Sequence, residues 1–98
     1  MKNITLSSLR FSQDRKGQWK TLLRSKADTE RLGQAIGRIL QGGEVIALTG
    51  ELGAGKTCMV RGITLGVGLS PEKVSSPTFT IIQEYDSHPS IVHVDLYR

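Results

Sequence analysis

Cysteine and histidine are scarce in this sequence, and long apolar runs are missing. Cys58 is the single cysteine, so an intrachain disulfide and a cysteine-based zinc site are both excluded. Two histidines, His88 and His93, are too few to indicate a metal cluster. No apolar run approaches the roughly 18 residues of a membrane span, and residues 1–25 contain no secretory signal. We therefore expect a cytoplasmic protein with no membrane-spanning segment.

Charge is unevenly distributed along the 98 residues, which suffice for one small domain. Residues 1–26 hold seven basic side chains and one acid, hence a net charge of +6. Residues 27–98 hold six basic and eight acidic side chains, hence −2. The apolar residues of positions 1–17 follow neither a helical nor a strand spacing. We therefore interpret residues 1–24 as a basic N-terminal extension. It could contact nucleic acid, a membrane surface or an acidic partner, be a transit peptide, or be a loosely ordered terminus.

A short strand followed by a helix is predicted next. Gln18–Arg24 alternates like a strand, and Ser25 or Asp28 can cap the following helix by accepting a bond from a first-turn amide. Gly42-Gly43 is expected to end that helix. Its apolar residues at helical spacing are Leu32, Ala35, Ile36, Ile39 and Leu40.

The residue pattern in the second half of the chain predicts three strands and one helix. Val45–Leu48 is a continuous apolar run, the pattern of a strand covered on both faces. A helix runs from about Lys56 to Val67, and its glycines at 62 and 66 suggest close packing against another backbone. Thr78–Tyr85 and Ile91–Asp95 read as strands joined by a short turn, hence an antiparallel hairpin. This order of elements predicts an α/β fold.

A glycine-rich stretch between the Val45–Leu48 strand and the Lys56–Val67 helix matches the pattern G-x-x-x-x-G-K-[ST] at every fixed position. In such a P-loop, main-chain amides at a helix N-terminus surround the phosphates of a nucleotide, and small residues permit that close approach. The matching residues are Gly50, Glu51, Leu52, Gly53, Ala54, Gly55, Lys56 and Thr57.

Individual roles follow from the chemistry of a magnesium–triphosphate complex. Lys56 would place its ammonium between the β- and γ-phosphates, and Thr57 would offer its hydroxyl to Mg²⁺. The amide of Cys58 is expected to face the α-phosphate, while its sulfur packs. Asp95 follows an apolar strand, as does the second magnesium ligand of P-loop proteins. Lys56, Thr57 and Asp95 are thus the predicted catalytic residues, the last two also holding the metal.

Three other features leave alternatives open. Ser76 and Thr78 flank a proline in a segment that could sense the γ-phosphate or be a plain loop. Arg61 could pair with an acid or reach phosphate, and we favour the salt bridge. His93 alternates with apolar neighbours, which favours a buried, hydrogen-bonded histidine over a catalytic base.

The sequence from about Ser25 to Arg98 resembles the TsaE family, the small bacterial ATPases of tRNA threonylcarbamoyladenosine synthesis. The P-loop alone would fit many families, whereas the combination of motifs at these spacings is much more selective. The segments that carry the resemblance are Thr29–Gly33, Gly50–Thr57, Arg61-Gly62, Ser76–Phe79 and His93–Arg98.

The resemblance implies a P-loop NTPase-like α/β fold with a mixed β-sheet flanked by helices. It implies binding of ATP and Mg²⁺, slow ATP hydrolysis, and action with a TsaB–TsaD complex in which TsaD modifies the tRNA. Direct contact of this chain with tRNA is left open. Asp95 would be the Walker-B-like acid, and Thr29 would lie near the adenine side of the nucleotide.

The chain departs from the family in two respects. Its leader of about 24 residues exceeds the usual start. The family also continues through further strands and helices, including a glutamate–tryptophan pair that serves the active site and has no counterpart here. Residues 25–98 are therefore expected to be the N-terminal portion of the ATPase domain. Two alternative functions are a small P-loop kinase and a non-catalytic nucleotide-dependent assembly switch.

Overall fold

The computed structural model describes residues 3–6, 9–51, 55–70 and 82–94. Within these ranges the chain forms two helices and two small antiparallel sheets, so the fold is mixed α/β. The elements are β1 (Asn3–Leu6), β2 (Leu9–Gln13), β3 (Trp19–Thr21), α1 (Lys26–Ile39), α2 (Lys56–Val67), β4 (Ile82–Tyr85) and β5 (Ile91–Val94). Neither helix of this described part is long and apolar enough to cross a membrane.

The first sheet has the order β1-β2-β3, with both pairs antiparallel. The predicted strand around Trp19 is confirmed as the short β3. The expectation that residues 1–17 lack strands is wrong, because β1 pairs Ile4 with Phe11 and Leu6 with Leu9. Apolar residues two apart on either side of a two-residue separation favour a hairpin, and this signal was available in the sequence.

Helix α1 begins at the predicted cap. The Ser25 hydroxyl accepts a hydrogen bond from the Asp28 amide at 3.1 Å, which satisfies a first-turn donor that has no partner within the helix. The helix ends at Ile39, and the two glycines that follow, Gly42 and Gly43, have φ angles of 116° and 86°. The prediction that these glycines end the helix is wrong, because the C-cap is Leu40 with an extended backbone, two residues before Gly42.

The two helices cross through glycines on both sides. Gly33 and Gly37 of α1 face α2, while Gly62 and Gly66 of α2 face α1. A Cβ placed on Gly33 would lie 2.6 Å from the Met59 carbonyl oxygen, closer than real side chains come. The sequence prediction of close backbone packing along α2 is therefore confirmed, and its partner is α1.

A second apolar contact joins the end of α2 to the hairpin of β4 and β5. Leu69 and Tyr85 are buried against each other, with Leu65 and Ile91 packed around them. The hairpin is antiparallel, as predicted, with Tyr85 opposite Ile91. The remaining residues of the two predicted strands, 78–81 and 95, lie outside the described residues.

The apolar run Val45–Leu48 does not form the buried strand that its pattern predicts. It has no helical or strand assignment, and Val45 is 93% exposed. A strand covered on both faces needs neighbours on its two edges, and no strand of the described ranges pairs with it. Within the described ranges the strands form two separate antiparallel sheets, and the predicted mixed sheet is not among them.

Candidate functional site

The start of α2 is shaped by a glycine. Gly55 is the N-cap residue, with a left-handed φ of 94°, and its carbonyl accepts the first helical hydrogen bond from the Met59 amide at 3.0 Å. Gly55 has no side chain that could occupy the first-turn amides, and the described first turn of α2 contains no acid. Helix N-termini favour anions because these amides and the helix dipole present positive charge.

The side chain of Lys56 contacts the first two residues of the loop. Its Nζ donates hydrogen bonds to the carbonyl oxygens of Gly50 and Glu51, the latter at 2.8 Å. The ammonium therefore lies against the first two residues of the loop, although Lys56 is also the first residue of α2. This arrangement brings a full positive charge to the same end of the helix as the first-turn amides.

Thr29 of α1 is brought to the helix start. A Cβ placed on Gly55 would lie 3.8 Å from the Thr29 methyl carbon, an ordinary contact distance. The Thr29 hydroxyl donates to the Ser25 carbonyl at 3.3 Å, which fixes the side chain against the first turn of α1. Since there is room for a Cβ, the left-handed backbone and not crowding explains glycine at position 55. The role of Thr29 beside the adenine stays a prediction.

The residues present fit a magnesium–polyphosphate ligand. Lys56 supplies a cation, α2 supplies the amides of its first turn, and the Thr57 side chain is exposed beside them. Magnesium prefers oxygen ligands and takes few of them from protein, which matches a single hydroxyl at this point. Cys58, next along α2, is a half-buried free thiol.

Several predicted site residues lie outside the described residues, and their roles stay predictions. They are Leu52, Gly53 and Ala54 of the loop, Ser76 and Thr78 of the proline-containing segment, and Asp95, the predicted second magnesium ligand.

Arg61 forms the salt bridge that the sequence analysis favoured. Its Nε lies 3.6 Å from Oε2 of Glu30, and the two side chains are 40% and 32% exposed. The pair bridges α2 and α1 one turn beyond the loop. Sequence reasoning did not identify Glu30 as the partner, because the two residues are 31 positions apart and only the helix crossing brings them together.

His93 of β5 is half-buried and lies opposite Gln83 of β4. Its Nδ1 is buried and has no hydrogen-bond partner in the described part of the chain. The predicted buried, fully hydrogen-bonded histidine is therefore not observed there.

Comparison with known proteins identifies one matching family model. The model described as "Threonylcarbamoyl adenosine biosynthesis protein TsaE" matches residues 23–98, more than three quarters of the chain. The match includes Thr29, the whole loop and α2, and it leaves β1, β2 and β3 outside.

Curated relatives agree with the family model. A "tRNA threonylcarbamoyladenosine biosynthesis protein TsaE" from Treponema pallidum is 47% identical over 75 residues, covering 76% of this chain and 55% of the relative. A protein of the same name from Aquifex aeolicus is 42% identical, covering 81% of this chain and 61% of its own length. A third protein of that name, from Nostoc sp., is 45% identical, and the match covers 81% of this chain and 49% of the relative. The chain thus spans about half the length of the curated relatives it matches.

Proposed function

The chain belongs to the TsaE family, and we propose that it binds and hydrolyses ATP with Mg²⁺ as a subunit acting in the formation of threonylcarbamoyladenosine in tRNA. The partners proposed from the family resemblance are TsaB and TsaD, with TsaD performing the transfer to tRNA. The tRNA is reached through that complex, and direct contact of this chain with tRNA is left open.

The observation that carries the proposal is the arrangement at the start of α2. The Lys56 Nζ donates hydrogen bonds to the carbonyl oxygens of Gly50 and Glu51. Lys56 is also the first residue of α2, whose N-cap is the glycine at position 55. A cation and a set of helix-start amides in one place favour a ligand with several negative charges. A P-loop at the start of a helix is the context in which this sequence pattern indicates nucleotide binding.

Each residue has a distinct part in the proposed chemistry. Lys56 would neutralise charge on the β- and γ-phosphates, and the first-turn amides of α2 would hold the phosphate oxygens in place. Thr57, together with Asp95, would hold the metal. Magnesium, when bound, adds positive charge on the β- and γ-phosphate oxygens. Phosphoryl transfer to water requires little covalent chemistry from the protein, so these positioning contacts account for most of the proposed catalysis.

Calorimetry with ATP and Mg²⁺ tests the binding part. Lys56→Ala removes a charge-assisted contact worth about 1.5–3 kcal/mol, which corresponds to roughly 10- to 100-fold weaker binding. Arg38→Ala is the matched control, because it removes an exposed cation at the far end of α1. Equal ATP affinity in Lys56→Ala and the unsubstituted chain would contradict the site.

Hydrolysis is tested separately, because binding alone would also suit an assembly switch. Single-turnover hydrolysis of ATP is measured with the chain alone and with TsaB and TsaD added. The proposal expects phosphate release that depends on Lys56 and increases with the partners. ATP that binds tightly yet stays intact in both conditions would favour the switch over the ATPase.

A further inference from the structure

Strands β1, β2 and β3 form a sheet that lies outside the family match, and residues 9–21 hold four basic side chains and one acid. We use the name basic hairpin for residues 9–21, which comprise β2, β3 and the turn between them. Its basic residues are Arg10, Arg15, Lys16 and Lys20, all exposed. Arg24 and Lys26, also exposed, follow between β3 and the first turn of α1.

Strand register separates the charged face of the hairpin from its apolar face. Ser12 lies opposite Lys20, and Arg10 is two residues before Ser12 on the same strand, so the three side chains share one face. Leu9 and Phe11 belong to the other face, where Leu9 is buried and Phe11 half-buried. The outward face therefore presents two cations and a hydroxyl.

The single acid of the basic hairpin, Asp14, lies at the turn, where its carboxylate accepts hydrogen bonds from main-chain amides. Asp14 Oδ1 accepts hydrogen bonds from the amides of Lys16 at 2.9 Å and Gln18 at 3.0 Å. Its other oxygen, Oδ2, is 3.9 Å from Lys20 Nζ, and the Lys20 side chain is 71% exposed. A salt bridge of that length and exposure is weak. The carboxylate of Asp14 keeps its negative charge, so residues 9–21 carry a net charge of +3 from four basic side chains and one acid.

We propose that the basic hairpin binds the phosphate backbone of a nucleic acid strand. Phosphate oxygens are contacted by arginine, lysine and serine side chains and attract clustered cations over several ångströms. A protein partner would be expected to bury an apolar centre, and the described residues of the charged face offer no apolar side chain. The same lack of apolar residues argues against insertion into a membrane surface.

The proposed contact stands apart from the nucleotide site and does not depend on it. The contact recognises the charge of the phosphates and not the bases or sugars, so RNA and DNA strands of one sequence should bind with similar affinity. Trp19, the only tryptophan of the chain, lies in β3. Trp19 pairs with Gln13 and so lies on the face of Leu9 and Phe11, away from the charged face, so binding is followed by the fluorescence anisotropy of an end-labelled oligonucleotide.

The test titrates a mixed-sequence RNA oligonucleotide, and the corresponding DNA, into the chain at several salt concentrations. Arg15→Gln/Lys16→Gln removes two cations from the turn, and Arg31→Gln/Arg38→Gln removes two exposed cations from α1 as the matched control. The hairpin variant should bind roughly tenfold more weakly, and its slope of log affinity against log salt should fall by about 1.5. The control should differ from the unsubstituted chain by less than about twofold.

Three results would overturn the proposal: no salt-dependent binding of either strand, an equal loss in the α1 control, or binding of polyglutamate or of phosphatidylserine vesicles that is tighter than binding of either strand and depends on Arg15 and Lys16. ATP calorimetry on the same hairpin variant separates this outcome from that of the proposed ATPase. ATP affinity should be unchanged, because Arg15 and Lys16 take no part in the nucleotide site. Circular dichroism of each variant confirms that the comparison is between folded chains.

Discussion

Gly62 of α2 lies directly against the main-chain carbonyl group of Glu30 in α1, so close that even a single Cβ would overlap it. Gly66 repeats this contact one turn later against Gln34. The separation of the helices is therefore set by backbone and not by adjustable side chains. One consequence is functional: the first turn of α1 lies beside the start of α2, which brings Thr29 to Gly55.

Gly62→Ala should destabilise the chain. Alanine is favoured over glycine in a helix by about 1 kcal/mol, but overpacking typically costs about 1–3 kcal/mol and the neighbour here is rigid backbone. We expect a net loss of about 2 kcal/mol in the free energy of unfolding, measured by urea denaturation.

Gly68→Ala supplies the comparison for that measurement. Gly68 caps the end of α2 with a φ of 119°, and no atom of the described residues, its chain neighbours aside, lies within 4 Å of a Cβ placed there. Its substitution therefore reports backbone strain without crowding, at a cost of about 1 kcal/mol. A gain in stability for Gly62→Ala would contradict the close crossing.

Arg61→Ala should leave ATP binding unchanged. The structure pairs Arg61 with Glu30 at 3.6 Å, so its charge already has a partner away from the loop. Because both side chains are about one-third exposed, the pair contributes at most about 0.5 kcal/mol to stability. Calorimetry with ATP and urea denaturation measure the two effects.

Glu30→Gln removes the same pair from its other end and should reproduce the small change in stability. A tenfold loss of ATP affinity in Arg61→Ala, with no loss in Glu30→Gln, would instead indicate that the Arg61 guanidinium contacts a phosphate of the nucleotide.

Glu44 should contribute to stability in a pH-dependent way. Hydrogen bonds from the Gln41 amide at 2.8 Å and the Gly42 amide at 2.7 Å hold the pKa of this carboxyl below its ordinary value of 4.5. Folding therefore favours the ionised form. Its contribution is present in full above pH 4.5 and is lost as the pH falls through the lowered pKa.

Glu44→Gln tests that dependence. The variant should be less stable than the unsubstituted chain at about pH 7, and the difference should shrink as the pH falls below 4.5 through the lowered pKa. Glu84→Gln, which changes an exposed carboxylate of β4, serves as the control. A difference in unfolding free energy that is constant from neutral to acid pH would contradict the role of the two amides.

Local patterns were sufficient for much of the fold. Ser25 correctly predicted the start of α1, and the predicted bounds of α2 agree with the structure. The glycine pair did not predict the end of α1, since the helix ends at the Leu40 cap before it. Val45–Leu48 was different, because an apolar run becomes a buried strand only when other strands and helices cover it. Its local sequence carries no information on whether those neighbours are in place.

The sequence by itself determined the family, the nucleotide-binding motif and the basic character of the leader, since each is a matter of residue type and spacing. Only the tertiary structure decided that Glu30 meets Arg61, that Thr29 reaches the loop, and that the leader folds into a sheet with one charged face. The physical reason is distance along the chain. Capping and periodicity act over a few residues, whereas a helix crossing or a strand register joins residues whose spacing in the sequence does not reveal that they touch.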